Sequence, residues 1–166
     1  MHLAQLNIGR LVAPPGAPEV AAFMAALDRV NAIGKRSPGF VWMMEGSGEP
    51  GTGNTQNCLG GDPRMVANLT VWTGIEALET FVWQTVHRQF YARRAAWFQA
   101  MGEPHFVMWW VAEGHRPDLA EAMDRLAYLR AHGDSDRAFG WAHLPKARHW
   151  RQAACGETAD EGAMAG

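Results

Sequence analysis

The chain has 166 residues, of which 48% are hydrophobic and 19% are charged, and its formal net charge is -2. This length suits one domain that buries a core without disulfide or metal staples, and the hydrophobic content excludes a disordered chain. The slight negative charge gives no electrostatic reason to expect a nucleic-acid partner. With so few charged residues for the surface, the composition favours a buried interface between two copies of the chain.

Cysteine usage and the lengths of the apolar runs indicate a soluble, cytoplasmic protein without a membrane partner. Cys58 and Cys155, the only two cysteines, lie too far apart in sequence for a disulfide framework or a zinc-ligand spacing. No apolar run reaches the roughly 18 residues of a membrane-spanning helix. The N-terminal sequence also lacks the apolar stretch of a signal peptide.

Apolar periodicity predicts strands and helices in a definite order. The predicted elements in chain order are a strand over 2–12, a helix over 18–34, strands over 39–45 and 65–72, a helical region over 75–101, a strand over 105–113 and a helix over 118–132. Residues 46–64 are rich in Gly and Pro and are predicted to be a long loop that covers a pocket as a lid.

The C-terminal part of the chain is expected to add little regular structure. Residues 138–144 are predicted to form a short edge strand. A single domain is expected over residues 1–144. Residues 145–166 are basic at first and then lack periodicity and bulk, so they are expected to be a flexible tail.

The order strand, helix, strand, strand, helix, strand predicts an α+β fold. It is the ferredoxin-like split βαβ arrangement, an antiparallel sheet with helices on one face and here an extra C-terminal helix. The other face of the sheet would then expose Trp and Met side chains in a single chain. Because soluble proteins cover large apolar surfaces, a homodimer formed through the sheet is predicted.

The segment over residues 68–98 places polar side chains on an aromatic surface. Asn68 and Trp72 share one face of the predicted strand. If the following helix is continuous, one of its faces carries Trp83, His87, Phe90, Arg94 and Trp97. An imidazole and a guanidinium in an apolar stripe cost free energy unless they are partnered, so this stripe is the predicted site.

The two titratable candidates each have a functional and a structural interpretation. His87 could act as a general base, or it could be a core histidine bonded to a backbone carbonyl or to Tyr91. Arg94 could hold an anionic or enolate oxygen, or it could pair with Glu79 or Glu103.

The amide side chains also have two interpretations. Asn68 with Trp72 could place an amide donor beside a ring that stacks on a planar ligand, or Asn68 could hydrogen-bond its strand to a helix. Gln5 and Asn7 point to one side of the first strand, where an Asn is disfavoured by propensity. They either line a pocket or bridge to a neighbouring strand.

The sequence motifs of several other protein classes are interrupted or absent. The letters GSGEPG match a G-x-G-x-x-G pattern, but Pro50 interrupts it and no helix follows, so dinucleotide binding is not predicted. Neither a metal-ligand cluster nor a G-x-S-x-G elbow occurs. A single axial haem ligand follows no spacing rule, so haem ligation by His87 remains open.

Four segments resemble a bacterial family of unknown function in the dimeric α/β-barrel superfamily, over residues 3–139. They are LAQLNIGR, LDRVNAIGKRSPGFVW, NLTVWTGIEALETFVWQTVHRQFYARRAAWF and MWWVAEGHRPDLAEAMDRLAYLR. The resemblance implies a homodimer of ferredoxin-like protomers and names no reaction. Other members of the superfamily are stress-response or binding proteins with no known catalysis.

The same superfamily contains antibiotic-biosynthesis monooxygenases, which oxidise polycyclic phenols without flavin or metal. They use an Asn and a Trp four residues apart on a strand, with a nearby Tyr and Arg. Asn68 and Trp72 have this spacing, and Tyr91 and Arg94 are candidates for the other two.

The superfamily also contains haem-degrading enzymes, which use an Asn on the first strand and a Trp and a His on the second helix. Asn7, Trp83 and His87 are similar in kind. Trp83 and His87 are four residues apart, closer than that family's pair.

The expected protein is a small-molecule enzyme that acts on a flat apolar or phenolic substrate in natural-product metabolism. Its chemistry is expected to be cofactor-independent oxygenation or proton transfer, as in an isomerase or cyclase, with no metal. The predicted catalytic residues are His87, Asn68 and Arg94. The predicted substrate-binding residues are Trp72, Trp83, Tyr91, Trp110 and Asn7. The alternatives are a non-catalytic binding protein and a haem protein that uses His87.

Overall fold

The computed structural model describes residues 1–45, 55–57, 61–84 and 93–145, with the backbone alone for residues 55–57. The strands are β1 (His2–Arg10), β2 (Phe40–Met43), β3 (Thr55–Asn57), β4 (Met65–Trp72) and β5 (Phe106–Val111). The α-helices of the described residues are α1 (Ala21–Arg36), α2 (Ile75–Gln84) and α3 (Leu119–His132). None of these helices is long and apolar enough to cross a membrane.

The five strands form one antiparallel sheet in the order β2-β4-β1-β5, and β3 also pairs with β4, on the same edge as β2. This order and pairing confirm the predicted ferredoxin-like α+β fold. The sheet of the single chain is open and does not close into a barrel. Strand β1 is central, because it is bonded to β4 on one side and to β5 on the other.

The face of the sheet that carries Leu3 and Trp72 is covered by α1 and α2. Phe81 of α2 packs in one buried cluster with Leu3 and Trp72, and Leu27 of α1 packs in another with Val66. We call this side the inner face. Two helices therefore lie on one face of the sheet, as predicted.

The opposite face, which we call the outer face, is covered by α3. Leu6 and Leu69 of the sheet pack with Leu126, and Trp109 is 0% exposed. The indole Nε1 of Trp109 donates a hydrogen bond to Glu121 Oε1 over 3.0 Å. The expectation that this face exposes Trp and Met side chains is therefore wrong, and the argument for a homodimer that rested on it does not hold.

Helix α3 begins and ends where its sequence predicts. The side chain of Asp118 accepts a hydrogen bond from the backbone N–H of Glu121 over 2.8 Å, which caps the first turn. Gly133 follows the last turn with a φ of 75°, in the left-handed region that glycine adopts without strain.

The predicted helical region over residues 75–101 is not one helix. After α2, residues 85–92 lie outside the described residues, and Arg94–Ala96 form a single 3-10 turn. The chain then joins the end of β1, because Gln99 N–H donates to the Arg10 carbonyl over 2.8 Å. The Trp97 N–H still donates to the Arg94 carbonyl over 3.0 Å, and the bonds to the end of β1 begin with the Trp97 carbonyl, which accepts from Val12 N–H over 2.9 Å.

Two other predicted segments differ in detail. Three residues of the predicted loop form β3, whereas residues 46–54 and 58–60 of that loop lie outside the described residues. The predicted edge strand over 138–144 reduces to two isolated bridges, Ala138 with Ser135 and Phe139 with Met108, followed by a 3-10 turn at Trp141–His143. The predicted tail from residue 146 onward also lies outside the described residues.

Asn31 is a buried polar side chain in the apolar stripe of α1. It is 8% exposed, its Nδ2 has no hydrogen-bond partner among the described residues, and it borders a cavity of about 170 Å³ between α1 and the end of β2. An unpaired buried amide costs about 1–3 kcal/mol. Asn31→Leu is therefore expected to raise the free energy of unfolding in urea by about 1–3 kcal/mol.

Asp28→Leu is the matched control, because Asp28 is exposed on the same helix and Asp has a helix propensity close to that of Asn. It is expected to change stability by less than about 0.5 kcal/mol. A loss of stability in Asn31→Leu would show that the amide is satisfied in solution.

Candidate functional site

The central strand carries an exposed asparagine on the helix-covered face. Asn7 lies on the inner face between Asn68 of β4 and Phe106 of β5 in the strand register. Its neighbours along that face, Leu3 and Gln5, are at most 5% exposed, whereas Asn7 is exposed. A side chain in the middle of a sheet can reach solvent only if the layer above leaves a gap. We call this gap, with Asn7, Asn68 and Phe106 as its floor, the inner-face opening.

A buried hydrogen-bond network supports one side of this floor. Gln5 Nε2 donates to Asn68 Oδ1 over 3.0 Å and to Thr70 Oγ1 over 2.8 Å. Trp72 Nε1 donates to the same Thr70 Oγ1 over 2.8 Å. Of the two interpretations of Gln5, the structure shows the bridge to a neighbouring strand. The network holds the Asn68 side chain from the neighbouring Gln5 position of the same face.

Trp72 belongs to the core of the single chain. It is 0% exposed, its ring stacks on Phe81 at 5.1 Å and 24°, and Phe40 meets it edge-on at 5.6 Å. In this position Trp72 packs α2 on the sheet and anchors Thr70. Its ring face is occupied by a protein side chain rather than open to a ligand.

Aromatic rings border the opening on the β5 side. Phe106 and Trp141 are both partly buried and stack with their centroids 5.6 Å apart at 11°. Trp110 is also partly buried and lies 6.3 Å from the ring of Phe139, but it pairs with Leu3 and so lies further along β5 than the opening. Flat rings at the edge of a polar floor suit a planar ligand.

Phe98 closes the opening at the end of β1. It lies on Gly9, the next inner-face position after Asn7, and a Cβ on Gly9 would stand 2.7 Å from two ring atoms of Phe98. Glycine is therefore required there for the ring to lie flat on the strand. Phe23 of α1 holds the Phe98 ring from the other side, edge-on at 4.9 Å.

Apart from the buried Trp72, the predicted site residues divide into three groups: those at the opening, those elsewhere among the described residues, and those outside them. Asn7 and Asn68 are direct cross-strand neighbours at the opening, whereas Trp110 pairs with Leu3, two inner-face positions away from Asn7. Trp83 is partly buried on α2, and Arg94 is exposed on the 3-10 turn. His87 and Tyr91 lie outside the described residues. Sequence reasoning did not find two further residues, Phe106 and Trp141.

The floor of the opening is uncharged, since Asn7, Asn68 and Phe106 carry no ionisable group. At the far end of β1, Arg10 Nε contacts Asp62 Oδ2 at 2.8 Å. The pKa of Asp62 is lowered first by the hydrogen bond from the Arg64 backbone N–H and then by Arg10. Among the described residues no group of three or more His, Cys, Asp or Glu side chains is placed to hold a metal ion.

A groove of about 510 Å³ at the start of α2 contains none of the predicted site residues. Its walls come from the turn before β2 and the first turns of α2, including Gly39, Thr73 and Glu76. Three of its eight lining residues, Thr73, Glu76 and Thr80, carry hydrogen-bonding side chains, and all three are exposed rather than held in a buried network like that of Gln5. The inner-face opening is therefore the better candidate site.

The strand order, with α1 and α2 on the inner face and an added helix on the outer face, defines a ferredoxin-like α+β protein with a polar opening over its central strand. The chain belongs to the family described as a domain of unknown function (DUF3291), whose model matches residues 2–155. This confirms the resemblance to a family of unknown function. No curated protein matches the sequence.

Two solved structures are similar in part. SnoaB, a cofactor-independent oxygenase from Streptomyces nogalater, is 17% identical, with a TM-score of 0.43 over 70% of this chain and 98% of its own. A Nitrosomonas europaea protein with the provisional name antibiotic biosynthesis monooxygenase is 14% identical, with a TM-score of 0.40 over 67% of this chain and 98% of its own. Both TM-scores are below 0.5, so we assign the fold from the strand order and pairing and not from these two similarities.

Proposed function

We propose that the chain binds and converts a flat apolar or phenolic small molecule at the inner-face opening. The observation that carries this proposal is the exposure of Asn7 in the middle of the central strand, with the Asn68 amide beside it. Paired amides on a floor bordered by aromatic rings suit a planar molecule that carries a hydroxyl or carbonyl oxygen. The proposed setting is natural-product metabolism, in a homodimer.

The proposed chemistry begins with removal of a proton from an acidic phenol or enol. Amide N–H groups near the oxygen stabilise the anion that forms, and the rings hold the substrate in place. The anion carries negative charge on a ring carbon as well as on oxygen. That carbon either takes up a proton at a new position, as in an isomerase, or forms a bond to molecular oxygen. In the second case the peroxide takes up a proton and loses water to leave a quinone.

His87 is proposed as the base, and Arg94 as a second group that holds the anion. Both belong to the segment that follows α2, which connects the inner-face helix to β5. An imidazole in an apolar setting has a neutral, proton-accepting form at pH 7. No bound cofactor is required for this chemistry, because the substrate anion itself reacts.

Binding of the coloured planar phenol 4-nitro-1-naphthol tests the site. Asn7→Leu places a larger apolar side chain in the opening and removes one amide, and a hydrogen bond to a charged group contributes about 1.5–3 kcal/mol. The dissociation constant measured by absorbance titration is therefore expected to rise at least about tenfold.

The matched control is Ala127→Leu, which adds the same side chain at an exposed position of α3 on the far side of the sheet. It should bind the phenol as the unchanged protein does. Equal affinity in Asn7→Leu, or no binding of any planar phenol by the unchanged protein, would contradict the proposal. A screen of polycyclic phenols by oxygen uptake then tests turnover, and turnover that survives in His87→Ala would exclude His87 as the base.

A further inference from the structure

We infer that the cavity between α1 and the end of β2 is a second binding site, and that it takes a free α-amino acid with a small side chain. The cavity has a volume of about 170 Å³, and none of the residues around the inner-face opening lines it. The inference is therefore independent of the proposed function.

The cavity is built on a buried amide without a partner. Asn31 is 8% exposed and lies in the same buried stripe of α1 as Met24 and Leu27, and its Nδ2 has no hydrogen-bond partner within the described residues. Such a residue lowers the stability of the fold, because its amide is removed from water without compensation. Residues that lower stability in this way are common at functional sites. The amide therefore points to a ligand.

Two charges of opposite sign flank this amide. Asp28 lies three residues before Asn31 and Lys35 four residues after it, so the three side chains lie on one face of α1, and all three residues line the cavity. Asp28 and Lys35 are exposed, and neither forms an ion pair within the part of the chain that the structure describes. At a rise of 1.5 Å per residue their Cα atoms are about 10 Å apart along the helix axis. Both charges can therefore pair with a ligand.

The charges around the cavity select a zwitterion. Glu45, at the end of β2, is the third charged residue of the lining, so two carboxylates and one ammonium group surround the cavity. A simple anion would be repelled by the two carboxylates, and a simple amine would leave Lys35 without a counter-charge. An α-amino acid meets both conditions, since its ammonium group pairs with Asp28 and its carboxylate pairs with Lys35. The amide of Asn31, between them, donates a hydrogen bond to the carboxylate.

The rest of the lining sets the size of the amino acid. Met43 is 6% exposed and Met44 is partly buried, and their flexible thioether side chains give the cavity an apolar wall. A volume of about 170 Å³ equals that of about six water molecules. L-alanine is of this size, and its methyl group suits the methionine wall. A large side chain would have to project into solvent.

An NMR titration of ¹⁵N-labelled protein with L-alanine tests this site. Saturable shifts are expected at the Asn31 side chain and at residues 43–45. Asn31→Leu is expected to raise the dissociation constant at least about tenfold, because it removes a hydrogen bond to a charged group. This variant is expected to be more stable than the unchanged protein, so weaker binding in it is not a result of unfolding.

Matched variants and probes separate the cavity from the rest of α1. Lys35→Gln is expected to weaken L-alanine binding about threefold. Arg29→Gln removes a positive charge from an exposed position of α1 outside the cavity and should have no effect. Propionate lacks the amino group of L-alanine and ethylamine lacks its carboxylate, so each should bind at least about tenfold more weakly.

Four results would overturn the inference. They are the absence of saturable shifts with L-alanine, an equal affinity in Asn31→Leu, an equal effect of Arg29→Gln and Lys35→Gln, and binding of propionate or ethylamine as tight as that of L-alanine. None of these results affects the proposed function, since phenol binding is followed at Asn7 and Asn68.

Discussion

Replacement of Gly39 by alanine is expected to lower the free energy of unfolding by about 2–5 kcal/mol. Gly39 has a φ of +81°, and a Cβ there would stand 2.5 Å from Thr73 Oγ1 and closer still to the Cβ of Ala77. Its carbonyl also accepts a hydrogen bond from Thr73 N–H over 2.8 Å. The turn before β2 therefore packs directly on the start of α2, and the added methyl group would force the two apart. Equilibrium unfolding in urea measures the loss.

Gly114→Ala separates the backbone strain in Gly39→Ala from the clash of its methyl group with α2. Gly114 has nearly the same φ, +82°, but a Cβ at this position would meet open space, with no neighbouring atom within 4 Å. In this variant the free energy of unfolding should fall only by the cost of a Cβ at positive φ, about 1–2 kcal/mol. Equal losses at the two positions would show that the contact with α2 carries no cost.

Trp109→Ala is expected to lower the free energy of unfolding by about 3–5 kcal/mol. The indole is 0% exposed between β5 and α3, and its removal also deprives Glu121 of the donor 3.0 Å away. Thermal and urea unfolding measure the effect. A large loss supports the assignment of α3 as the cover of the outer face.

Trp110→Ala is the comparison, since Trp110 is the next residue in β5, faces the inner side and is only partly buried. Its replacement is expected to cost clearly less than that of Trp109. If Trp109→Ala cost under about 1 kcal/mol, the outer face would not be packed as described, and a dimer formed through that face would again be favoured.

Local signals in the sequence were sufficient to predict the bounds of several strands and helices. The alternation over residues 65–72 predicts β4 with the bounds that the structure shows, and Asp118 and Gly133 mark both ends of α3. These signals act within a few residues of chain. The order of the elements predicted from these signals then identified the ferredoxin-like fold.

Elements that depend on distant partners were not predicted. Residues 97–99, predicted to be helical, form backbone bonds to the end of β1, and those bonds involve residues far apart in sequence. The periodicity of α3 identifies an apolar face but not which side of the sheet it covers. Strand β3 has three residues and forms because β4 offers a free edge beside β2.

The candidate site was predicted only in part for the same reason. Asn7 and Asn68 were each singled out, but their adjacency is a matter of strand register. The exposure of Asn7 depends on a gap in the helix layer, which no sequence pattern records. Trp141 reaches the border because Phe139 bridges to Met108, a contact without periodicity.

The central claim is that the inner-face opening is the binding site, and an NMR titration tests it most directly. ¹⁵N-labelled protein is titrated with 4-nitro-1-naphthol, and backbone and side-chain shifts are followed. The largest changes are expected at Asn7, Asn68, Phe106 and the Trp141 indole. Changes centred on the groove around Thr73 and Glu76, or no saturable changes at all, would contradict the claim.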